Sequence, residues 1–361
     1  MFTKEAVKQI QPYRLVPQEA WSNSNVLKLD WNEATIPISP HVKQALINAI
    51  NTVNLNWYPN VNKLKLLRLL ADYVGVNQEK LLYFASSDSA QEYVARTFLN
   101  EHDNVLILGP TYDNFRVTCQ SESYNIFFYY LDENLNFNIE EFEQNISALS
   151  PKLVYISNPN NPTGNEYTEN QIEYLVKKYT DTLFLIDEAY IEFTENATSS
   201  VPLVKKYSNL IITRTFSKAF GLAGFRIGYI IGDESLILNI SKIRNSKSIS
   251  TLSQVAAIAV IENIEYVNVY IEKVKEAKKY LLKELTTLRI PFKSQGGNFV
   301  LIKPFNPKTL INYLKQNDIY VRDYTHVTEL QGYNTRITVG TIEQMKLVVN
   351  VIKQYLNEHP V

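Results

Sequence analysis

Hydrophobic and polar positions follow two different patterns along the chain, and the change between them falls near residue 250. Before it, short apolar runs of strand length are separated by stretches in which apolar residues recur every three or four positions, as in amphipathic helices. The runs lie at 104–109, 124–131, 152–157, 182–187, 209–216 and 226–232, and "TENQIEYLVKKY" (168–179) is one of the helical stretches. This alternation predicts a mainly parallel sheet covered by helices on both faces, with right-handed crossovers.

The pattern after residue 250 predicts a smaller α+β unit. We expect a long amphipathic helix over 251–288, a strand at 297–304, a helix near 307–316, short strands at 319–322 and 335–340, and a final helix from 341. The first 30 residues have no core of their own, so we expect them to pack on this unit or to reach a partner subunit. The predicted division is therefore a large domain over 32–250 and a small domain formed by 1–31, with an N-terminal arm, and 251–361.

Composition narrows the class of protein. The chain has 361 residues, of which 45% are hydrophobic and 20% charged, and its formal net charge is −1. These are ordinary values for a globular protein, and they argue against a nucleic-acid binder. Cys119 is the only cysteine, which excludes an internal disulfide and fits a cytoplasmic location. The four histidines are scattered, so we expect no metal site.

Neither a signal peptide nor a membrane span is indicated by the hydropathy pattern. The first ten residues, "MFTKEAVKQI", are polar and mixed in charge, and they lack the apolar stretch of a secretory signal. No apolar run approaches the roughly 20 residues that cross a bilayer. We therefore expect no membrane partner.

Reactive side chains follow several of the predicted strands, and ligands of open parallel sheets bind beyond the carboxyl ends of the strands. "NPNNPTG" (158–164) is rich in turn formers, but Asn161 could also donate its amide to a ligand oxygen. In "DEAY" (187–190), Asp187 could cap a helix. It also leaves an apolar strand, where a bare carboxylate is costly, so a protonated ring nitrogen would suit it. Tyr190 is close enough to contact the same ligand.

"TRTFSKAFGLAGFR" (213–226) places Lys218 at a strand end. Most lysines are surface charges, but this one stands beside Thr215 and Ser217, with Arg226 eight residues on. Hydroxyls and a guanidinium can hold a phosphate, because arginine offers a rigid pair of donors. The spacing matches neither a dinucleotide-binding nor a nucleotide-triphosphate loop.

"SSDSA" (86–90) begins a predicted helix. Ser87 or Ser89 could cap it, and Ser89 with Glu92 fits a capping box. A helix N-terminus also binds anions, in which case Asp88 must turn its carboxylate away from a bound phosphate.

Taken together, these strand ends describe one molecule. The acid would suit a protonated ring nitrogen, and Asn with Tyr would suit a ring oxygen. The lysine amine would suit a carbonyl group, and the arginine a phosphate. The molecule with all four groups is pyridoxal 5′-phosphate.

With these motifs in place, the chain resembles a fold-type I, class I/II aminotransferase, and most closely the histidinol-phosphate aminotransferase subfamily. "LDWNEA" (29–34) resembles the N-E-N-P segment of the family, "WYPNVN" (57–62) its R-Y-P-D segment, "SSDSA" its G-S-D-E and "GPTYDNF" (109–115) its P-T-Y. "SNPNNPTG", "DEAY" and "TFSKAFGLAGFRIGY" match nearly letter for letter, and "GGNFVLIK" (296–303), "IYVRDY" (319–324) and "TRITVGT" (335–341) match the C-terminal half of the subfamily.

The resemblance implies a role for each candidate residue. Lys218 would bind the cofactor covalently and act as the catalytic base, which requires a pKa well below that of a free lysine. Asp187 would pair with the pyridinium nitrogen, Asn161 and Tyr190 would hold the phenolic oxygen, and Tyr112 would stack on the ring. The phosphate cup would be formed by Ser87, Asp88, Thr215, Ser217 and Arg226, joined by Tyr58 of a second subunit in a homodimer. Arg336, with Asn161 nearby, would bind the substrate carboxylate, and Arg322 and Tyr13 a substrate phosphate.

The implied reaction moves an amino group between an amino acid or amino-alcohol phosphate and a 2-oxo acid, with histidinol phosphate and 2-oxoglutarate as the expected pair. Three departures fall near the cofactor phosphate and the mouth of the site. Ser86 replaces a glycine, Ser89 replaces a glutamate, and "NEATIPISP" (32–40) lacks the usual proline and glycine. An aromatic aminotransferase, a threonine-phosphate decarboxylase-like lyase and a non-catalytic binding protein remain as alternatives.

Overall fold

The structure is a computed structural model that describes residues 2–12, 26–61, 64–194 and 199–360. Within them the strands are β1 (Leu27–Leu29), β2 (Leu81–Phe84), β3 (Asn104–Gly109), β4 (Asn125–Tyr130), β5 (Leu153–Ser157), β6 (Leu183–Asp187), β7 (Leu210–Thr215), β8 (Gly228–Gly232), β9 (Phe292–Lys293), β10 (Phe299–Ile302), β11 (Ile319–Asp323) and β12 (Thr335–Thr338). The helices are α1 (Glu5–Lys8), α2 (Pro40–Thr52), α3 (Leu64–Val74), α4 (Ser87–Phe98), α5 (Asn114–Ser121), α6 (Ile139–Leu149), α7 (Glu169–Lys178), α8 (Glu234–Ile243), α9 (Thr251–Glu262), α10 (Ile264–Thr287), α11 (Pro307–Gln316) and α12 (Ile342–Glu358).

The larger sheet has seven strands in the order β2-β8-β7-β6-β5-β3-β4. Its central strands are parallel, and β8 runs antiparallel to both β7 and β2. This confirms the predicted fold class. The last of the six predicted strands begins at Gly228 rather than at 226. Strand β2 was not among the six apolar runs, because four apolar residues alone do not distinguish a strand from a helix.

Burial explains why these runs form strands. Every residue of β5, β6, β7 and β8 is buried, as expected for a sheet with helices on both faces. The helix predicted over 168–179 is α7, whose Thr168 and Gln171 form a capping box. It buries Ile172, Leu175 and Val176, each of which contributes about 1.5–3 kcal/mol when removed from water.

A second sheet has the order β1-β11-β12-β10-β9. β1 pairs with β11 in parallel, so residues 27–29 belong to this sheet. The long helix predicted over 251–288 is wrong in one respect, because it consists of two helices that meet at Asn263. Asparagine competes with helical hydrogen bonds and favours helix ends. α9 packs as a buried helix, whereas α10 buries one face only.

Residues near the N-terminus contact α5. Arg116 Nη2 donates to the Gln11 carbonyl oxygen at 3.2 Å, and Lys4 lies 3.4 Å from Glu122. The division of the chain into domains at residues 32 and 250 stays a prediction. Within the described ranges, no helix has the length and apolar character needed to cross a membrane.

Candidate active site

A cavity of about 500 Å³ lies at the carboxyl ends of β5, β6 and β7. Its walls contain all the candidate residues except Tyr13 and Tyr58. The candidates that line it are Ser87, Asp88, Tyr112, Asn161, Asp187, Tyr190, Thr215, Ser217, Lys218, Arg226, Arg322 and Arg336. Tyr13 lies outside the described residues. Tyr58 is 82% exposed on the surface, with Lys247 Nζ 4.8 Å from its ring centroid.

Asp187 forms the acidic wall of the cavity. Its side chain is buried, and each carboxylate oxygen accepts a hydrogen bond from a hydroxyl, Oδ2 from Tyr155 at 3.0 Å and Oδ1 from Thr213 at 3.1 Å. Burial raises the pKa of Asp187 to about 6, although these hydrogen bonds lower it. Such a carboxylate suits a cationic ligand group, because a nearby positive charge favours its ionised form.

Tyr190 and Asn161 lie together in the same cavity. Asn161 Nδ2 donates to the Tyr190 hydroxyl at 3.0 Å, and Asn32 Nδ2 donates to the same oxygen at 3.1 Å. Tyr190 is 5% exposed, and its hydroxyl therefore sits in a preorganised polar corner. The pair can hold a ligand oxygen between a phenol and an amide.

Lys218 reaches the cavity from the loop after β7. Its Nζ donates to the Trp31 carbonyl oxygen at 2.8 Å and lies 5.5 Å from the Tyr190 ring centroid. Burial, followed by the Arg336 charge, lowers the pKa of Lys218 to about 8. The expectation of a lowered lysine pKa is confirmed.

The N-terminus of α4 and the loop after β7 form a cup. The Thr215 hydroxyl donates to Ser217 Oγ at 3.0 Å and accepts from the Ser217 amide at 3.1 Å. A Cβ on Gly228 would lie 2.5 Å from the Ser87 amide nitrogen, so only glycine allows this close approach. Helix N-termini bind phosphates, and the surrounding hydroxyls fit that ligand.

Arg226 and Asp88 meet at the edge of this cup. Arg226 adopts a left-handed conformation with φ 49°, and its Nη2 lies 3.4 Å from Asp88 Oδ2. The Asp88 carboxylate thus lines the cavity and pairs with the arginine. That it turns away from a bound phosphate stays a prediction.

The cap of α4 differs from the prediction of Ser87 or Ser89. The N-cap residue is Ser86, whose hydroxyl accepts from the Ser89 amide at 3.1 Å. The φ of Ser86 is 133°, a backbone region that favours glycine. Ser86 therefore combines a stabilising cap with a strained backbone at the mouth of the cup.

Replacing Ser86 separates these two contributions. Ser86→Ala keeps the strain and loses the cap, so we expect the free energy of unfolding to fall by about 1 kcal/mol. Ser86→Gly loses a few tenths of a kcal/mol from the cap and removes about 1 kcal/mol of strain. The glycine variant should therefore be at least as stable as the wild type in urea unfolding of cofactor-free protein. A glycine variant less stable than the alanine variant would contradict the strain argument.

Arg322 and Arg336 form a basic wall. They are directly paired across β11 and β12, and both are at least 94% buried rather than ordinary surface charges. Arg336 donates to Asn161 Oδ1 at 2.6 Å, to the Tyr324 hydroxyl at 3.1 Å and to the Asp30 carbonyl oxygen at 2.5 Å. Like charges directly opposite on neighbouring strands destabilise a sheet, so this arrangement favours a bound anion.

Several residues at the site were missed in the sequence. Asn32, Tyr155, Thr213 and Tyr324 all hold the side chains described above. Asn32 lies in "LDWNEA" and could have been found there. Tyr155 and Thr213 lie inside apolar strands, and a hydroxyl within such a run is the only signal that the sequence offers.

Comparisons with known proteins give the family of the chain. The family model described as aminotransferase class I and II matches residues 24–352. A dihydroxyacetone phosphate transaminase of Campylobacter jejuni is 41% identical to the chain. The alignment covers 98% of this chain and 97% of that protein. A histidinol-phosphate aminotransferase of Ruminiclostridium cellulolyticum is 33% identical, covering 93% of this chain and 94% of its own.

Solved structures share the fold. A histidinol-phosphate aminotransferase from Sinorhizobium meliloti, in complex with pyridoxal 5′-phosphate, superposes with a TM-score of 0.87 at 21% identity over 98% of each chain. The L-threonine-O-3-phosphate decarboxylase of Porphyromonas gingivalis gives 0.79, also at 21%, and covers 92% of this chain and 100% of its own. Fold similarity at this identity does not separate a transaminase from a lyase.

Proposed function

The chain belongs to the class I and II aminotransferases, enzymes that use pyridoxal 5′-phosphate, and on that premise we propose that it transfers an amino group between glutamate and a small phosphorylated ketone. Dihydroxyacetone phosphate is the ketone that we favour, because the relative of that activity is 41% identical. The ketone formed from histidinol phosphate is the second candidate. Both ketones carry a phosphate ester on the carbon next to the carbonyl group.

The residues of the cavity fit the cofactor. Among the described residues, the side chains that donate to the buried Asp187 carboxylate are uncharged, which leaves this acid suited to a protonated ring nitrogen. Asn161 and Tyr190 would hold the phenolic oxygen, with Tyr112 against the ring. The phosphate would lie between the N-terminus of α4 and Arg226, beside the hydroxyls of Ser87, Thr215 and Ser217.

The bound cofactor supplies an electron sink for the carbanion of the substrate, and the chain provides the rest. Lys218 is the group that we assign to proton transfer. Its lowered pKa leaves part of the population neutral near pH 7, so Nζ can take the proton from the α-carbon of the amino substrate. Asp187 keeps the ring nitrogen protonated.

The paired Arg322 and Arg336 carry the proposal of a phosphorylated substrate. Arg336 lies beside Asn161 and would bind the α-carboxylate of glutamate, as the family resemblance implies. The Arg322 guanidinium Cζ lies 5.7 Å from the Tyr324 ring centroid, and that of Arg336 lies 5.6 Å from it. Two guanidiniums around one ring can hold a phosphate by charge-assisted hydrogen bonds. Tyr13 would assist them.

A substrate panel tests this function. We expect glutamate to be converted to 2-oxoglutarate with dihydroxyacetone phosphate, more slowly with imidazole acetol phosphate, and poorly with phenylpyruvate. Arg322→Ala should raise the KM of the phosphorylated ketone about tenfold to a hundredfold, because a hydrogen bond to a charged group contributes about 1.5–3 kcal/mol. The KM of glutamate should change less. Arg68 lies on the exposed side of α3, and Arg68→Ala is the control.

Two results would overturn the proposal. One is a preference for phenylpyruvate over both phosphorylated ketones, which would indicate an aromatic aminotransferase. The other is release of carbon dioxide from threonine phosphate at a rate above any transamination, which would indicate a lyase.

A homodimer is part of the proposal. Between Ile47 and Val61 the surface carries exposed apolar side chains: Ile47, Ile50, Val53, Leu55, Trp57, Tyr58 and Val61. Contiguous exposed apolar surface favours a protein interface. A second copy of the chain that covers this surface would receive Tyr58 near its cofactor phosphate, and sedimentation velocity measures the association.

We place the enzyme in the cytoplasm, since its only cysteine is buried and unpaired; cell fractionation tests this.

A further inference from the structure

Tyr155 is a buried phenol in the middle of β5. Its side chain is fully buried, and its ring stacks on Phe115 with the centroids 4.6 Å apart. A phenol in an apolar strand requires a hydrogen-bond partner. The partner is the Asp187 carboxylate on the neighbouring strand β6, at 3.0 Å.

The groups that act on Asp187 come from three elements. From β5, Tyr155 donates to Oδ2, and from β7, Thr213 donates to Oδ1. From α4, Gln91 donates to the Thr213 hydroxyl at 3.3 Å, and its hydrogen bonding also lowers the pKa of Asp187, whereas the negative charge of Asp88 raises that pKa. The two hydroxyls, one on each oxygen, therefore fix the plane of the carboxylate and offset the cost of burying its charge.

We propose that Tyr155 is a positioning residue for the cofactor: its hydroxyl holds the Asp187 carboxylate ionised and oriented, ready to pair with the protonated ring nitrogen of pyridoxal 5′-phosphate. The inference rests on the proposed role of Asp187. It assigns to Tyr155 a contribution to cofactor binding that acts through the acid and not through contact with the substrate.

The pH dependence of cofactor binding distinguishes this role from simple packing. Free pyridoxal 5′-phosphate carries a proton on its ring nitrogen at neutral pH and below. An ionised Asp187 can pair with this protonated nitrogen directly, whereas a protonated Asp187 must first release its own proton. The affinity should therefore fall as the pH decreases through the pKa of Asp187, which is about 6. Loss of a hydrogen bond to the ionised form raises that pKa.

The experiment is a titration of cofactor-depleted protein with pyridoxal 5′-phosphate between pH 5 and pH 8, followed by the absorbance of the bound cofactor. For Tyr155→Phe, which keeps the stacked ring, we expect the acidic fall in affinity to move upward by about one pH unit, with little change at pH 8. Tyr167→Phe is the matched control. Tyr167 is 2% exposed, and its hydroxyl has no hydrogen-bond partner among the described residues, so its curve should coincide with that of the wild type.

Other outcomes overturn the proposal. If Tyr155→Phe lowers the affinity equally at every pH, or leaves the curve in place, Tyr155 does not hold the acid ionised. Asp187→Asn separates the two levels of inference. If this variant abolishes the acidic fall while Tyr155→Phe does not move it, only the role of Tyr155 fails. If the curve of Asp187→Asn coincides with that of the wild type, the assignment of Asp187 itself fails.

Discussion

Lys218→Ala is expected to reduce transamination about a thousandfold or more, since the variant lacks both the amine that binds the cofactor and the base that moves the substrate proton. The side chain is placed for both tasks, because it projects into the cavity between Tyr190 and the Trp31 carbonyl group. Turnover of glutamate measures the loss, and the visible spectrum of the loaded protein should change with it. Lys206→Ala removes an exposed lysine paired with Glu173 and is the control. Normal turnover in purified Lys218→Ala would exclude the mechanism.

The pH dependence of cofactor uptake reports on the same residue. Only the neutral amine reacts with an aldehyde. With a pKa of about 8, roughly a tenth of Lys218 is neutral at pH 7, compared with fewer than one in a thousand for an unperturbed lysine. The rate at which cofactor-free protein takes up the cofactor should therefore rise about tenfold per unit below pH 8 and level off above it. A rise that continues to pH 10 would contradict the lowered pKa.

The Lys218→Ala variant also tests whether the two subunits of the proposed homodimer share their active sites. If Tyr58 acts in the neighbouring site, mixing Lys218→Ala with Tyr58→Ala subunits produces hybrids with one intact site, and activity should recover to about a quarter of the wild-type value by random association. No recovery is expected if Tyr58 acts within its own subunit.

Much of the fold could be predicted because its signals are local. The central parallel strands β5, β6 and β7 are buried on both faces and therefore form continuous apolar runs in the sequence. Helix α7 could be predicted from its apolar residues, which recur every three or four positions. The break at Asn263 was not predicted, because asparagine favours a helix end only weakly and apolar residues continue on both sides of it. β1 was missed for a related reason: three residues acquire strand structure only by pairing with β11, nearly 300 positions away.

The site could be predicted where a functional group stands at a strand end. Asn161, Asp187 and Lys218 could be found in this way, because a polar residue after an apolar run is conspicuous. Tyr155 could not, because its hydroxyl gains its meaning from an acid 32 positions away. Ser86 was misjudged as a mere departure from the family glycine. Its role as the cap follows from a backbone conformation that the sequence does not show.

A buried ion pair behind the site was missed altogether. Glu188 follows Asp187 in "DEAY", and it is fully buried against Arg214 of β7. Arg214 Nε and Nη2 donate to Glu188 Oε2 at 3.0 and 2.9 Å, and the Ser200 amide donates to Oε1 at 2.6 Å. Glu192 also faces this guanidinium. Burial raises the pKa of the Glu192 carboxyl to about 7, although the Arg214 charge lowers it. The Arg214 guanidinium therefore faces two acids, of which Glu188 is fully buried and Glu192 partly buried.

Arg214→Leu is expected to lower the free energy of unfolding by about 3–5 kcal/mol, because it leaves the Glu188 charge buried and unpaired. Urea unfolding of cofactor-free protein measures this, since bound cofactor would add its own stabilisation. Arg96→Leu, which removes an exposed pair with Glu92, should cost less than about 1 kcal/mol. The double variant Arg214→Leu/Glu188→Leu should recover part of the loss, because it removes the Glu188 charge and leaves only Glu192 without its cation. A loss below 1 kcal/mol in the single variant would mean that Glu188 is protonated or hydrated.

The effect of Arg214→Leu should extend to the cofactor. Arg214 stands between Thr213, which donates to Asp187, and Thr215, which lies in the phosphate cup. Its two neighbours point to the opposite face of the strand, so the ion pair anchors from behind the residues that contact the cofactor in front. Even under conditions where the variant remains folded, we therefore expect weaker binding of pyridoxal 5′-phosphate. The double variant should restore stability more completely than affinity, since leucines fill the space but do not fix the ends of β6 and β7 by directed hydrogen bonds.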